Sequence, residues 1–166
     1  MAMGTRPSVA ADVDLRSVMR LFPTGVAVLV SGQADEAVAT TINSLTSVGL
    51  MPPTVLVSLR LNSRAQKMVS ASEEFCLNFL SAKQEHLAAL FASRVKPAGR
   101  ELEQYFTGAP EGRGVLDGAI AALRCTVTTS YTAGDHCLVI GDVTSAHHGD
   151  AGHGTLLFHR GRMASV

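Results

Sequence analysis

The chain has 166 residues, enough for one domain with a sizeable core. Its 14 Lys and Arg balance 14 Asp and Glu, so no net field draws it to nucleic acid or to an anionic membrane. Charged residues make up only 17% against 46% hydrophobic, and mean hydropathy is +0.22, a sparse charge that is most simply explained by one face buried against a second copy of the chain. No run approaches the ~20 apolar residues of a membrane helix, and the N-terminus lacks a charged-then-apolar leader pattern. Cys76, Cys125 and Cys137 are scattered through apolar runs and read as reduced, buried thiols of a cytoplasmic protein.

Residues 1–11 read as a flexible tail ahead of a single domain over 12–166. Asp12 or Asp14 caps a short helix in which Leu15, Val18, Met19 and Phe22 recur at helical spacing. Gly25 to Ser31 is a strand, and the polar turn 32–36 returns it as a hairpin into the stretch 37–60. That stretch reads as a strand, a hydroxyl-rich exit, a break at Pro52-Pro53 and a second strand. Thr40, Thr41, Asn43, Ser44, Thr46 and Ser47 put six hydrogen-bonding side chains into eight positions. Such a row of short donors suits a flat heterocycle rich in N–H and C=O groups. It also suits a loop that satisfies its own backbone.

Ser63 with Gln66 predicts a capped helix to about Ser70, and Ser81 with Gln84 another to Ala92 that buries Leu87, Leu90 and Phe91. Glu74 to Leu80 is a strand between them. Residues 93–114 form an irregular excursion punctuated by Pro97, Gly99, Pro110, Gly112 and Gly114. From Ala121 a strand leads through the Ala133-Gly134-Asp135 turn into Cys137 to Val143. A His- and Gly-rich turn at 147–154 precedes a last strand, Thr155 to Arg160. About seven strands, mostly linked as hairpins, with three helices between them make a mainly β chain, an antiparallel barrel with peripheral α-helices, and exclude a βαβ fold.

No Gly-x-Gly-x-x-Gly follows a strand and no Walker loop occurs, which disfavours a Rossmann site. His147, His148, His153 and His159 lack a fixed ligand spacing, so no metal site is assigned. Ser63 and Arg64 open a helix, where unpaired N–H groups and a forked cation suit a phosphate; the plain alternative is a cap and a solvated charge. His136 opens an apolar strand just after a turn, as a local hydrogen-bonding residue or a rim ligand.

Taken in order, Phe22-Pro-Thr-Gly-Val-Ala-Val-Leu, Thr41-Ile-Asn-Ser-Leu-Thr-Ser-Val, Leu50-Met-Pro-Pro-Thr-Val-Leu-Val, Asn62-Ser-Arg, Phe75-Cys-Leu-Asn-Phe-Leu, Gly134-Asp-His-Cys-Leu-Val-Ile-Gly-Asp-Val and Phe158-His-Arg-Gly-Arg resemble the flavin reductase-like family. These are short NAD(P)H:flavin oxidoreductases, the reductase components of two-component flavin-dependent monooxygenases. The resemblance runs from about residue 15 to 162. It implies a split β-barrel of the FMN-binding type with Greek-key connections, a homodimer, FMN or FAD near the subunit interface, and NADH (or NADPH) as hydride donor. It implies that Thr41, Ile42, Asn43 and Ser44 lie along the isoalloxazine, with Ser47 towards the ribityl phosphate. Ser63, Arg64, Phe91 and Arg94 would hold the phosphate, and His136, Arg160 and Gly161 the nicotinamide side, His136 as the catalytic candidate. The reduced flavin would reach a partner monooxygenase by diffusion. Ala39, Leu45, Gly49 and Phe158-His159 depart from the family's usual glycine, phenylalanine, serine and tyrosines. A non-catalytic flavin carrier on the same barrel is the competing expectation, and a haem- or metal-binding stress protein using the C-terminal histidines a third.

Overall fold

A computed structural model describes residues 13–107 and 114–166; the expected tail 1–11, Asp12 and the turn residues Gly108 to Gly112 lie outside the described residues. In chain order come α1 (Leu15–Met19), β1 (Thr24–Gly25), β2 (Ala27–Ser31), β3 (Val38–Ile42), β4 (Leu45–Leu50), β5 (Pro53–Arg60), α2 (Arg64–Ser72), β6 (Glu74–Phe79), α3 (Glu85–Ala92), β7 (Phe106–Thr107), β8 (Val115–Leu116), β9 (Ala121–Ala133), β10 (His136–His148), β11 (Leu156–His159) and β12 (Arg162–Ser165). Short 3-10 turns link them, the longest over Gly99–Tyr105.

Seven strands form one antiparallel sheet in the order β3-β2-β6-β9-β10-β5-β4. Its two edge strands are consecutive in sequence and are joined only by Asn43 and Ser44. Three Cα steps of 3.80 Å reach about 11 Å, so the sheet must curl until its edges nearly meet. Among the described residues no ladder joins β3 to β4, so the expected antiparallel barrel is a curled sheet that does not close. The reason lies at the link: Ser44 is held by β5, its carbonyl accepting from Ser58 N–H at 3.0 Å and its hydroxyl donating to Ser58 O at 2.7 Å. The chain therefore turns away from β3 before the two edges can pair.

Strand periodicity divides the interior. Leu29, Val57, Leu77, Cys125 and Val139 fill the inside of the curl. Val28, Val30, Leu80, Phe91 and Leu156 pack its outside against α3 and the small sheet β1-β11-β12. β2 is buried along its whole length because it lies between these two cores.

Four local expectations are corrected. The hydroxyl-rich exit after Ile42 is itself a strand, β4, with Thr46 and Ser47 facing solvent at the sheet's edge, where a polar face needs no internal partner. Helix α1 buries none of its residues; Leu15, Val18, Met19 and Phe22 are at least half exposed. His147 and His148 belong to β10, paired with Ala122 and Ala121, and not to a turn. The last strand is followed by a further one, with Arg160-Gly161 as the hairpin turn between β11 and β12.

Candidate functional site

Strand β3 pairs along its length with β2 on one side; on its outer side only its first residue, Val38, is bridged, to Ala98, so the edge beyond it is in no ladder among the described residues. A cleft of about 420 Å³ opens along that edge, lined by residues 38–44 of β3 and the link, Ser58 to Arg60 of β5, the start of α2 and the segment after α3. Two further clefts, about 310 and 200 Å³, share Ile42 and Asn43 with it. The larger is apolar, between Phe22, Leu45, Phe79 and Ile120. The other reaches Phe158 and Met163 of the small sheet. The two-residue link thus stands where three openings meet.

The side chains of the polar run mostly hold the backbone in place. Thr41 Oγ1 donates to Ala88 O of α3 at 2.7 Å, and Asn43 Nδ2 donates to Thr24 Oγ1 at 3.1 Å. Ser44 is bound to β5 as described. Thr41, Asn43 and Ser44 thus each have a partner on another element. Their anchoring leaves the backbone edge of β3 open to a ligand.

Electrostatically the large cleft is one-signed. Arg60, Arg64, Arg94 and Lys96 line it, together with no carboxylate. None of the four forms a salt bridge among the described residues. Lys96 Nζ donates to Phe91 O at 2.7 Å and to Thr40 Oγ1 at 3.0 Å. Burial, and then the charge of Arg64, holds its ammonium below the usual lysine pKa. Ser63 Oγ accepts from Gln66 N–H at 3.2 Å and so caps α2, whose N-terminus faces the same cleft. Such a lining has the charge and donors to suit an anion with several acceptor oxygens.

Thr41, Ile42, Asn43, Ser44, Ser63, Arg64 and Arg94 are thus brought together around one cleft. Phe91 is fully buried behind it and contributes its carbonyl through Lys96; its ring meets Tyr105 edge-on at 5.5 Å. Ser47 stands on exposed β4 opposite Val55, and Arg160 and Gly161 occupy the β11–β12 turn beside Arg20; none of the three lines the cleft. His136 pairs across the sheet with Arg60, placing it beside the cleft's rim. Its Nδ1 lies 2.8 Å from Asp135 Oδ1, and that hydrogen bond holds the Asp135 carboxyl below its ordinary pKa. Sequence reasoning placed Thr40 in the polar run without carrying it into the site, and missed Arg60 and Lys96. Lys96 sits beside a proline in what reads as loop chemistry, and only the fold carries it back over α3. Among the described residues, no three His, Cys, Asp or Glu side chains come together as a metal site.

Comparison with known proteins bears on this geometry. Residues 19–166 match the family model described as flavin reductase like domain. The NADH-dependent FMN reductase AsuE2 of Streptomyces nodosus subsp. asukaensis is 36% identical over 165 residues, covering 98% of this chain and 88% of that protein. HsaB, the reductase subunit of a flavin-dependent monooxygenase of Mycobacterium tuberculosis, is 33% identical over 164 residues, covering 95% and 86%. The solved structure of BorF, the flavin reductase component of a bacterial two-component tryptophan halogenase, superposes with a TM-score of 0.84 at 32% identity, covering 92% and 96% of the two chains.

Proposed function

The chain belongs to the flavin reductase-like family, and we propose that it is an NADH-dependent flavin reductase that supplies reduced FMN or FAD to a partner monooxygenase. The observation that carries this reading is the cleft along β3. One end holds four cations and no carboxylate, as a flavin phosphate or diphosphate requires. The other runs past the β3 edge beyond the Val38–Ala98 bridge, whose N–H and C=O groups match the polar rim of an isoalloxazine. The donor set fits a phosphorylated flavin.

When bound, the nicotinamide and the flavin carry the redox chemistry, hydride passing from C4 of the one to N5 of the other. The chain's task is to hold two rings with reacting atoms ~3–3.5 Å apart. Thr41, bolted to α3, and Ser44, bolted to β5, fix the strand edge along one ring. Ser63, Arg64 and Arg94 secure the tail. Backbone N–H groups of the β3 edge and the link favour negative charge developing on the ring carbonyls. His136, its Nδ1 engaged by Asp135, and Arg160-Gly161 are read as the residues that serve the nicotinamide. The curled sheet is read as the family's split barrel. The sparse surface charge and the exposed apolar residues of α1 support a homodimer with the flavin near its interface. Three buried cysteine thiols support a cytoplasmic setting, where the reduced flavin passes to the oxygenase by diffusion. Residues 12–166 are read as one domain.

Steady NADH consumption tests the reading, measured with FMN, with FAD and with no added flavin. Turnover that requires flavin is the expected result. Tight flavin binding without NADH turnover would make the chain a carrier instead.

A further inference from the structure

Two segments from opposite ends of the sequence meet outside the large cleft. Arg160 N–H donates to Arg20 O at 2.7 Å, which ties the end of α1 to the β11–β12 turn. The Arg20 guanidinium lies over Gly161: a Cβ there would stand 2.9 Å from its Nη2 and 3.2 Å from its Cζ and Nε. Arg16 is one turn earlier on α1, and Arg162 follows Gly161, opposite His159. Arg160 takes the turn at φ 53°, a left-handed conformation that Asn, Asp or Gly fills at less cost. The four arginines are exposed, and among the described residues none of them forms a salt bridge. In residues 13–26 and 155–166 the only Asp or Glu is Asp14, already engaged as the cap of α1 through Ser17. Such a patch, in a chain without net charge, suits an anion.

Its position names the anion. Phe158 and Met163 pair across the hairpin and line the opening of about 200 Å³ that shares Thr41, Ile42 and Asn43 with the large cleft. Strands rise ~3.3 Å per residue, so the turn stands roughly 7 Å beyond that opening. A dinucleotide with its nicotinamide in the opening carries its phosphates towards the arginines. A carboxylate recognises a free ribose 2′-hydroxyl, whereas arginine accommodates a 2′-phosphate. This patch has the second chemistry.

We propose that Arg16, Arg20 and Arg162 seat the 2′-phosphate of NADPH, so that the chain takes NADPH at least as readily as NADH. Guanidinium forks match phosphate oxygens in pairs. The reaction is unchanged: NADPH gives up a hydride from C4, the flavin takes it at N5 with a solvent proton at N1, and NADP+ leaves. This inference rests on the reductase reading and extends its hydride donor beyond NADH.

The probes are adenosine 2′,5′-bisphosphate and adenosine 5′-monophosphate, titrated by calorimetry, beside kcat/KM for NADPH and NADH at saturating FMN. Wild type should bind the bisphosphate about tenfold or more tightly than the monophosphate, and should use NADPH at least as efficiently as NADH. Arg20→Met with Arg162→Gln should lower both bisphosphate affinity and kcat/KM for NADPH about tenfold or more, while NADH stays within about twofold. Arg162→Gln alone should give part of that loss, and it decides the matter if the double variant fails to fold. A wild type that favours NADH would overturn the proposal. Equal losses for the two donors would also overturn it, by assigning the arginines to the shared diphosphate. Unchanged binding and kinetics in both variants would do the same and leave the patch to an acidic protein surface. Bisphosphate binding without flavin-dependent turnover of either donor would instead overturn the reductase reading and leave the 2′-phosphate seat standing.

Discussion

Cys125 lies on β9 with no exposed surface, and burial, with Cys76 and Asp142 adding, pushes its thiol from 9.0 up to about 12. A thiol whose pKa is raised in the folded state binds its proton more tightly there than when unfolded. Its stabilisation is complete below about pH 9 and is lost as the pH climbs towards 12. Urea unfolding of wild type and Cys125→Val at pH 8 and pH 10.5 should show the wild type losing more stability over that interval. Equal losses would mean that the thiol does not titrate with folding. Gly141 is constrained by space: a Cβ there would stand 2.8 Å from Phe75 Cε1 and 3.1 Å from Thr126 O. Phe75 is wholly buried and has nowhere to retreat. Gly141→Ala should therefore cost about 1–3 kcal/mol, read by thermal or urea unfolding, and Phe75→Leu in the same chain should recover part of that loss.

Asn78 ties two elements together. It is fully buried on β6, and its Oδ1 accepts from Leu116 N–H of β8 at 2.9 Å. Asn78→Leu leaves that N–H without a partner, for about 1–3 kcal/mol. Hydrogen exchange should then quicken at residues 115–118 before it does in β2 or β9; uniform protection would deny the tie. The elements also mark how far sequence reads. The β2–β3 and β9–β10 hairpins, α2 and α3 were legible because apolar period and capping residues agreed. The donors of 40–47 were legible as a polar anomaly, and Ser63-Arg64 as a helix start. β4 was not, because an edge strand with a polar face has the composition of a loop. Lys96 and Arg60 were not, because their shared cleft depends on the curl of a sheet whose edge strands lie at opposite ends of its order. The apolar spacing of α1 correctly predicted a helix, although none of its residues is buried.

For the molecule as a whole, Leu15, Val18, Met19, Leu21 and Phe22 together form an apolar exposure continuous with the cleft beside Phe22. Light scattering should give twice the 17.4 kDa chain mass, and Val18→Asp with Phe22→Glu should yield monomers with weakened flavin binding. Full activity from a wild-type monomer would contradict this. The two-residue link between the sheet's edges has another consequence. Asn43-Ser44 is the seam of the sheet, and it is also the floor on which a ligand would rest. Splicing a few glycines and serines between them lengthens a connection without removing a ladder, so loop entropy charges well under a kilocalorie. The circular dichroism spectrum and melting point should barely move, while flavin fluorescence quenching should vanish as the edges drift apart. In this topology the part of the chain most tolerant of insertion is the part least able to lose its length, so natural variation at the seam would be filtered by ligand and not by folding.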